Sequence, residues 1–158
     1  MQVEQLMTRE AQACRPENTL EQAAQLMWTR DCGCLPVCGS DGSTQPIGMI
    51  TDRDITMCAL FQRKPLREIS VSEAMSRQLR VCHAEDSLAD AERAMREAKI
   101  RRLPVVDAQG NLIGMISLAD MAREAARELA TGGEEITESQ IGDVLAAICS
   151  PGAPRLAA

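Results

Sequence analysis

Gly48-Met49-Ile50-Thr51-Asp52-Arg53-Asp54 returns later in the chain as Gly114-Met115-Ile116-Ser117-Leu118-Ala119-Asp120. Each stretch is an apolar strand end that runs into a hydroxyl residue with an aspartate three places on. A hydroxyl at a strand-to-helix handover sits among the first, unpaired N–H groups of the helix, and that end of a helix favours an anion. The aspartate falls one turn in. Hydroxyl, N–H groups and carboxylate together can hold a phosphate and a sugar hydroxyl. The same residues also make a capping box, in which Thr51 or Ser117 caps its helix and Asp54 or Asp120 answers from the third position, and capping needs no ligand. One copy leaves both readings open.

The surroundings of the motif repeat as well. Val3-Glu-Gln-Leu-Met7 matches Val71-Ser-Glu-Ala-Met75 at an offset of 68 residues. The same offset pairs Thr19-Leu20 with Ser87-Leu88, Met27 with Met95, and Leu35-Pro36-Val37 with Leu103-Pro104-Val105. At the glycine motifs the offset has become 66, so the first copy carries a turn two residues longer between its last two strands. Two copies in register, with the length difference confined to a turn, imply two similar units related by a pseudo-twofold axis.

Within the first copy, residues 13–15 read as a short strand. Thr19 opens a helix with Thr-x-x-Gln capping chemistry, carrying Leu20, Ala23, Ala24 and Met27 on one stripe. Gly33 supplies a left-handed stop near Asp31-Cys32-Gly33. Residues 34–37 and 47–50 are strands around an Asp41-Gly42 turn, and Thr51 starts a helix to about Gln62. Residues 63–70 are a linker broken by Pro65. The second copy repeats the order: a strand at 79–82, a helix from Ser87, strands at 103–106 and 112–116, and a helix from Ser117 to about Ala130. Thr137-Glu-Ser-Gln140 caps one more helix, with Ile141, Val144, Leu145 and Ile148 on its apolar stripe. The organisation expected is a first repeat at 1–62, a linker at 63–70, a second repeat at 71–130, a C-terminal amphipathic helix at 134–149 and a loose tail at 150–158. The fold class is α/β (α+β), two strand-helix-strand-strand-helix repeats in one compact module plus that helix.

The chain has 158 residues with 45% hydrophobic and 25% charged, one domain's worth of globular composition. One Trp, one Phe and no Tyr leave an aliphatic, Met-rich core. A net charge of -6 argues against a nucleic-acid partner, which needs clustered cations and, for single strands, stacking aromatics. The first ten residues carry Glu4, Arg9 and Glu10 without an apolar run, and nowhere is there a span long enough for a bilayer, so no membrane association and a cytoplasmic location are expected. Seven cysteines, Cys14, Cys32, Cys34, Cys38, Cys58, Cys82 and Cys149, are an odd number at irregular spacing, which suits reduced thiols better than a disulfide framework.

The residues that repeat are Val3-x-x-Leu-Met7, Cys34-Leu-Pro-Val37 and Gly48-Met-Ile-Thr-Asp-Arg-Asp-Ile55, with Val71-x-x-Ala-Met75, Arg102-Leu-Pro-Val105 and Gly114-Met-Ile-Ser-Leu-Ala-Asp120. Over about residues 1 to 127 the chain resembles a tandem pair of CBS domains, the cystathionine-beta-synthase motif that forms a Bateman module, and is similar to small stand-alone bacterial CBS-pair proteins. The resemblance implies a regulatory module for adenosyl ligands, AMP, ADP, ATP or S-adenosylmethionine, held in clefts between the repeats, with no cofactor required. It places Thr51 and Asp54 of the first copy, and Ser117 and Asp120 of the second, on phosphate and ribose. An ionised Asp can accept from both ribose hydroxyls while a helix start donates to phosphate. By the same resemblance Arg15-Pro16 and Cys34-Leu35-Pro36, with His83 and Arg102-Leu103-Pro104, line the nucleobase. Between the key residues the first copy has Asp52-Arg53, where Arg53 offers a fork donor to phosphate, and the second Leu118-Ala119. The first site is therefore favoured over the second.

Three other readings compete. Cys32-x-Cys34-x-x-x-Cys38 with Cys14 offers a metal or redox switch, although Cys-x-Cys is not a usual structural zinc spacing and no counterpart cage exists in the second copy. An enzyme is not expected: the one histidine has no identified carboxylate partner, and neither a Gly-x-Ser-x-Gly elbow nor a Walker lysine is present. A ligandless dimerisation module would use the same helices for contact alone. A homodimer is expected in any case, paired through helices bearing Met27, Met57, Met95 and Met121, with an unidentified regulated protein as a further partner.

Overall fold

The computed structural model of this chain describes residues 1–133 and 136–150. It is a mixed α/β fold. Its elements are β1 (Thr8–Arg9), α1 (Leu20–Thr29), β2 (Cys34–Cys38), β3 (Pro46–Thr51), α2 (Asp52–Gln62), α3 (Val71–Ala74), β4 (Cys82–His83), α4 (Leu88–Ala98), β5 (Arg102–Val106), β6 (Leu112–Ser117), α5 (Leu118–Thr131) and α6 (Glu138–Cys149), with 3-10 turns at Val3–Gln5 and Leu66–Glu68. Strands β2 and β3 pair antiparallel, Leu35 opposite Ile50 and Val37 opposite Gly48, and the other four form a sheet in the order β1-β6-β5-β4.

Local chemistry accounts for where the helices begin. Thr19, Thr51, Ser87, Ser117 and Thr137 each take the extended conformation and accept a hydrogen bond from the N–H three residues on, which satisfies one of the four free donors at a helix start. The stops differ from the sequence expectation. Gly33 is not left-handed, and the chain turns at Asp31 (φ 49) in the first copy and at Lys99 (φ 53) in the second, one offset of 68 apart. Gly33 is instead in contact with Asp52, whose Oδ2 would lie 3.2 Å from a Cβ placed there.

Packing divides the chain into two compact units, Arg9–Val81 with Val106–Gly114, and Met1–Thr8 with Cys82–Val105 and Met115–Ala158. Their boundaries are not those of the sequence repeats: the opening segments are exchanged, and the turn between β5 and β6 joins the loop after β2, with Leu112 N–H donating to Thr44 O at 3.0 Å. Val71 N–H donates to Asn18 O at 2.8 Å, Ser72 N–H to Pro16 O at 3.0 Å, and Leu20 N–H to Ile69 O at 2.9 Å. The equivalent bonds in the other unit run from Val3 to Asp86 O at 2.9 Å, from Glu4 to Ala84 O at 3.0 Å, and from Leu88 to Met1 O at 3.2 Å. Val71 thus completes the unit holding Thr51 and Asp54, and Val3 the unit holding Ser117 and Asp120. Both valine side chains are 0% exposed.

The first of these cores contains Cys14, Leu20, Met27, Leu35, Ile50 and Ile69. In the other, Val3, Cys82, Leu88, Met95, Leu103, Ile116 and Met121 are buried, and α6 packs on α4 and α5 with Val144 2% exposed. Glu128 holds the approach to α6: its Oε2 accepts from Ile136 N–H at 2.9 Å, and Ile136 is itself buried.

Several local expectations need correction. Residues 13–15 are not a strand, since only Cys14 bridges Val37, and the N–H of Arg15 is taken by Asn18 Oδ1 at 2.7 Å. The strand expected at 79–82 lies at Cys82–His83, after a tight turn in which Leu79 N–H donates to Arg77 O at 2.9 Å. The stretch 63–70 is structured by a 3-10 turn and puts Ile69 into a core. Met27, Met95 and Met121 are 5%, 0% and 0% exposed, so they fill cores rather than form a pairing surface. Met57, by contrast, is exposed on α2. The last helix starts at Glu138, and residues 151–158 of the expected tail lie outside the described residues.

Gly48 owes its identity to close approach and not to a left-handed turn. Its neighbour Met49 exchanges two backbone hydrogen bonds with Ser76, at 3.0 and 2.8 Å, and a Cβ on Gly48 would lie 2.5 Å from Ser76 O.

Candidate functional site

The two hydroxyl-aspartate boxes fold into nearly the same geometry. In the first, Thr51 N–H and Oγ1 both donate to Asp54 Oδ2, at 2.9 and 2.7 Å, and Asp54 N–H returns to Thr51 Oγ1 at 3.1 Å. In the second, Ser117 N–H and Oγ donate to Asp120 Oδ2 at 2.8 and 2.5 Å, and Asp120 N–H donates to Ser117 Oγ at 3.2 Å. The expected capping boxes are present, and each uses one carboxylate oxygen only.

The boxes differ at the other oxygen. Asp120 Oδ1 accepts from the Arg123 guanidinium, an exposed side chain one turn along α5. The residue at that place in α2 is Met57, and among the described residues Asp54 Oδ1 has no such partner. Arg123 is not among the residues expected from the motif, yet Asp120-x-x-Arg123 at helical i, i+3 spacing is the signal that marks it in the sequence.

The remaining candidates fall around these boxes unevenly. Cys34 stands opposite Thr51 in the β2–β3 ladder and Pro36 opposite Met49. Leu35 and Leu103 are 1% and 0% exposed, so their side chains belong to the cores and what they offer a ligand is backbone. Pro104 is buried too, and Arg102 half-buried. Arg15 is committed to the loop after β2, where its guanidinium donates to Gly39 O and, at 2.5 Å, to Ser43 O. Pro16 gives its carbonyl to Ser72 N–H. His83 is exposed, its N–H donating to Asp86 Oδ2 at 2.7 Å. Asp52 and Arg53 are exposed at the start of α2, the Arg53 N–H donating to Asp52 Oδ1 at 2.7 Å.

The thiols have their own chemistry. Cys14 and Cys82, 68 residues apart, are each 4% exposed, with Sγ donating to Pro36 O and Pro104 O respectively. Burial pushes both thiols up to about 12, and raises Cys38 as well. A thiol protonated across the neutral range is a poor nucleophile and a poor metal ligand. No group of three or more His, Cys, Asp and Glu side chains is placed to hold a metal ion among the described residues. In native protein at pH 8, iodoacetamide is expected to modify the exposed Cys149 and spare Cys14 and Cys82, as peptide mass mapping would read. Once unfolded, these thiols ionise near 9. Above that pH the unfolded chain binds fewer protons, so stability is lost at about 1.4 kcal/mol per pH unit for each thiol until the folded value is reached. Urea melts on either side of about pH 9 measure this loss.

Set beside known proteins, the chain matches one family model, the CBS domain, at residues 3–59 and again at 71–127. It is 38% identical over 120 residues to the CBS domain-containing protein YhcV of Bacillus subtilis, covering 76% of this chain and 82% of that one. The crystal structure of Hypoxic Response Protein I, with two coordinated zinc ions, superposes with a TM-score of 0.70 at 30% identity, over 78% of this chain and 98% of the other. Hypoxic response protein 1 of Mycobacterium tuberculosis is 33% identical over 133 residues, 84% of this chain and 83% of that protein. The crystal structure of CBSX2 in complex with AMP gives a TM-score of 0.68 at 27% identity, over 80% of this chain and 96% of the other.

Proposed function

The chain belongs to the CBS-domain family, and from that premise we propose that it is a regulatory sensor for an adenosyl ligand, AMP, ADP, ATP or S-adenosylmethionine. The observation that carries this reading is the spare oxygen of Asp54. A capping aspartate is satisfied through Oδ2 alone, and at Asp54 this leaves Oδ1 for the paired hydroxyls of a ribose, beside a hydroxyl and a helix start suited to phosphate. Asp120 offers the same atom only if Arg123 withdraws. The AMP held by CBSX2, a protein of the same family, supports the ligand class. Arg15, Pro16, Cys34 and Pro36 are the accompanying candidates in the first unit, and His83, Arg102 and Pro104 in the second. The ligand acts by binding one arrangement of the protein more tightly than another, since only differential affinity shifts an equilibrium. A regulated partner protein and a cytoplasmic location complete the reading. No helix among the described residues is long and apolar enough to cross a membrane.

The test is a thermal-shift and calorimetry screen of the four ligands on wild type, Asp54→Ala and Asp120→Ala. A ligand at a hundred times its dissociation constant stabilises the folded state by about 2.7 kcal/mol. Loss of a hydrogen bond to a charged carboxylate is expected to weaken binding by roughly tenfold to a hundredfold in Asp54→Ala. Melting shifts absent for every ligand, with both variants merely less stable, would reduce the boxes to caps.

A second observation favours pairing of two copies, with or without ligand. The one Trp and the one Phe of the chain are both on the helices of the first repeat and both exposed, Trp28 at 90% and Phe61 at 65%, with Leu60 at 63% beside the latter. A groove of about 490 Å³ lined by Ala24, Met27, Trp28, Asp52, Ile55 and Leu66 runs between α1 and α2. Exposed aromatic and aliphatic side chains on both helices give a second copy apolar surface to cover. Leu60→Glu is expected to convert a dimer to a monomer in sedimentation velocity, and an unchanged sedimentation coefficient would count against this surface.

A further inference from the structure

The two boxes are alike in hydrogen bonding and opposite in charge. Around Thr51 and Asp54 the first copy places Asp31 at the left-handed stop before β2, Gly33 and Cys34 leading into that strand, and Asp52 and Arg53 opening α2. The second copy has Lys99 at its left-handed stop, Arg101 and Arg102 leading into β5, and Leu118 and Ala119 opening α5, with Arg123 one turn further on. The local geometry that brings these positions to the box is conserved between the copies. Asp52 N–H donates to Gly33 O at 3.2 Å, and Leu118 N–H to Arg101 O at 2.9 Å. Asp31, Asp52, Arg53, Lys99, Arg101 and Arg123 are exposed, and Arg102 and both box aspartates are half-buried.

Along the backbone that frames the first box stand three carboxylates, Asp31, Asp52 and Asp54, against Arg53 alone, Asp31 and Asp52 also lining the groove between α1 and α2. The second carries four cations, Lys99, Arg101, Arg102 and Arg123, against Asp120 alone. Counting Arg15 toward the first does not reverse its sign, and that guanidinium is already committed to Gly39 O and Ser43 O. His83, at the place of Arg15 in the second copy, is paired with Asp86. Exposed charges around a binding site act through screened Coulomb interaction, so each charge added to the ligand is rewarded at one box and opposed at the other.

We infer that the two boxes take adenosyl ligands of different charge: the second a nucleoside polyphosphate, and the first an uncharged or cationic adenosyl compound such as adenosine or the sulfonium S-adenosylmethionine. This rests on the adenosyl reading of the boxes and reverses, for polyphosphates, the preference for the first site that Arg53 alone suggests. Arg123 has a double part here. It pairs with Asp120 in this structure and, as a fork donor one turn into α5, turns to phosphate when a polyphosphate binds.

The experiment is calorimetry on the full-length protein with adenosine, AMP, ADP, ATP and S-adenosylmethionine, at low and high salt without divalent cations. Asp54→Asn isolates the second box and Asp120→Asn the first, the amide keeping an acceptor for the cap, with folding checked by melting. With Asp54→Asn, affinity is expected to rise by roughly threefold to tenfold per phosphate from AMP to ATP, the rise shrinking at high salt. With Asp120→Asn, affinity is flat or falls along that series, and S-adenosylmethionine binds at least as well as AMP. Replacing Arg101 and Arg102 by Gln removes the rise from AMP to ATP, read as the ratio of the two affinities within the one variant. The same ligand order at both boxes, or ATP affinity indifferent to Arg101 and Arg102, overturns the charge assignment while leaving the adenosyl reading intact. Failure of every compound to bind wild-type protein overturns both.

Discussion

Gly48→Ala is expected to destabilise the protein by about 3 kcal/mol, lowering its melting temperature by roughly 6 to 12 °C for a chain of this size. The reason is a collision with main chain. The added methyl carbon would lie 2.5 Å from Ser76 O, which is bonded to Met49 N–H, with Met75 Sδ a further 3.5 Å neighbour. A flexible side chain could turn away, but a carbonyl held in a two-bond bridge moves only if that bridge opens or β3 shifts against β2. Since β3 delivers Thr51 to the start of α2, the same substitution should weaken ligand binding at the first box along with stability. Gly42→Ala separates this cause from a loss of backbone freedom. Gly42 has φ 82 and nothing within 4 Å of its Cβ position, so its cost is the conformational one of about 1 kcal/mol. Equal melting temperatures for the two variants would refute the close-approach explanation.

Val3→Asp is expected to cost about 4 kcal/mol or more, the price of placing an unpaired carboxylate at a position that is 0% exposed. The location of the damage is the sharper test. Val3 lies ahead of the first glycine motif in sequence, yet its N–H bonds Asp86 O and its neighbours bond residues 84 and 88. Hydrogen exchange should therefore quicken first at amides of residues 82–105 in Val3→Asp, and first at amides of residues 14–37 in Val71→Asp. The opposite order would mean that each repeat packs with its own opening segment.

Reading the sequence succeeded where the determining interactions are local. A capping box spans four residues and is visible as Thr-x-x-Gln at Thr19 or Thr51-x-x-Asp54. The repeat offset carries such a box from Thr51 to Ser117 without any knowledge of the fold. The α/β class and the element order follow from those signals with the apolar stripes between them. What stayed hidden depends on partners distant in the chain. Nothing in Val3-x-x-Leu-Met7 says which copy it packs against, because its match at Val71 is equally compatible with either choice. Gly48 looks like part of a glycine-led motif, and only the approach of Ser76 explains it. The left-handed stops at Asp31 and Lys99 escaped because Gly33 was the more obvious candidate, and both occupants carry a side chain that tolerates the strain at some cost. In the candidate site, Thr51, Asp54, Ser117 and Asp120 were legible from spacing. Arg123 and the contrast of Asp31 with Lys99 were equally present in the sequence, but comparison confined to the two residues inside each box left them out.

The exchanged opening segments carry a consequence for how such a chain comes into being. A solitary repeat has the strip Val-x-x-x-Met at its front and a docking place for that strip on its body, but it does not use the one to fill the other. Alone, it would complete itself only by trading strips with a sister chain. Joining two in tandem makes the trade internal. A cut within residues 63–70 would undo it, leaving each fragment with the strip its counterpart needs, so that the fragments fold by complementation when mixed and remain incomplete apart.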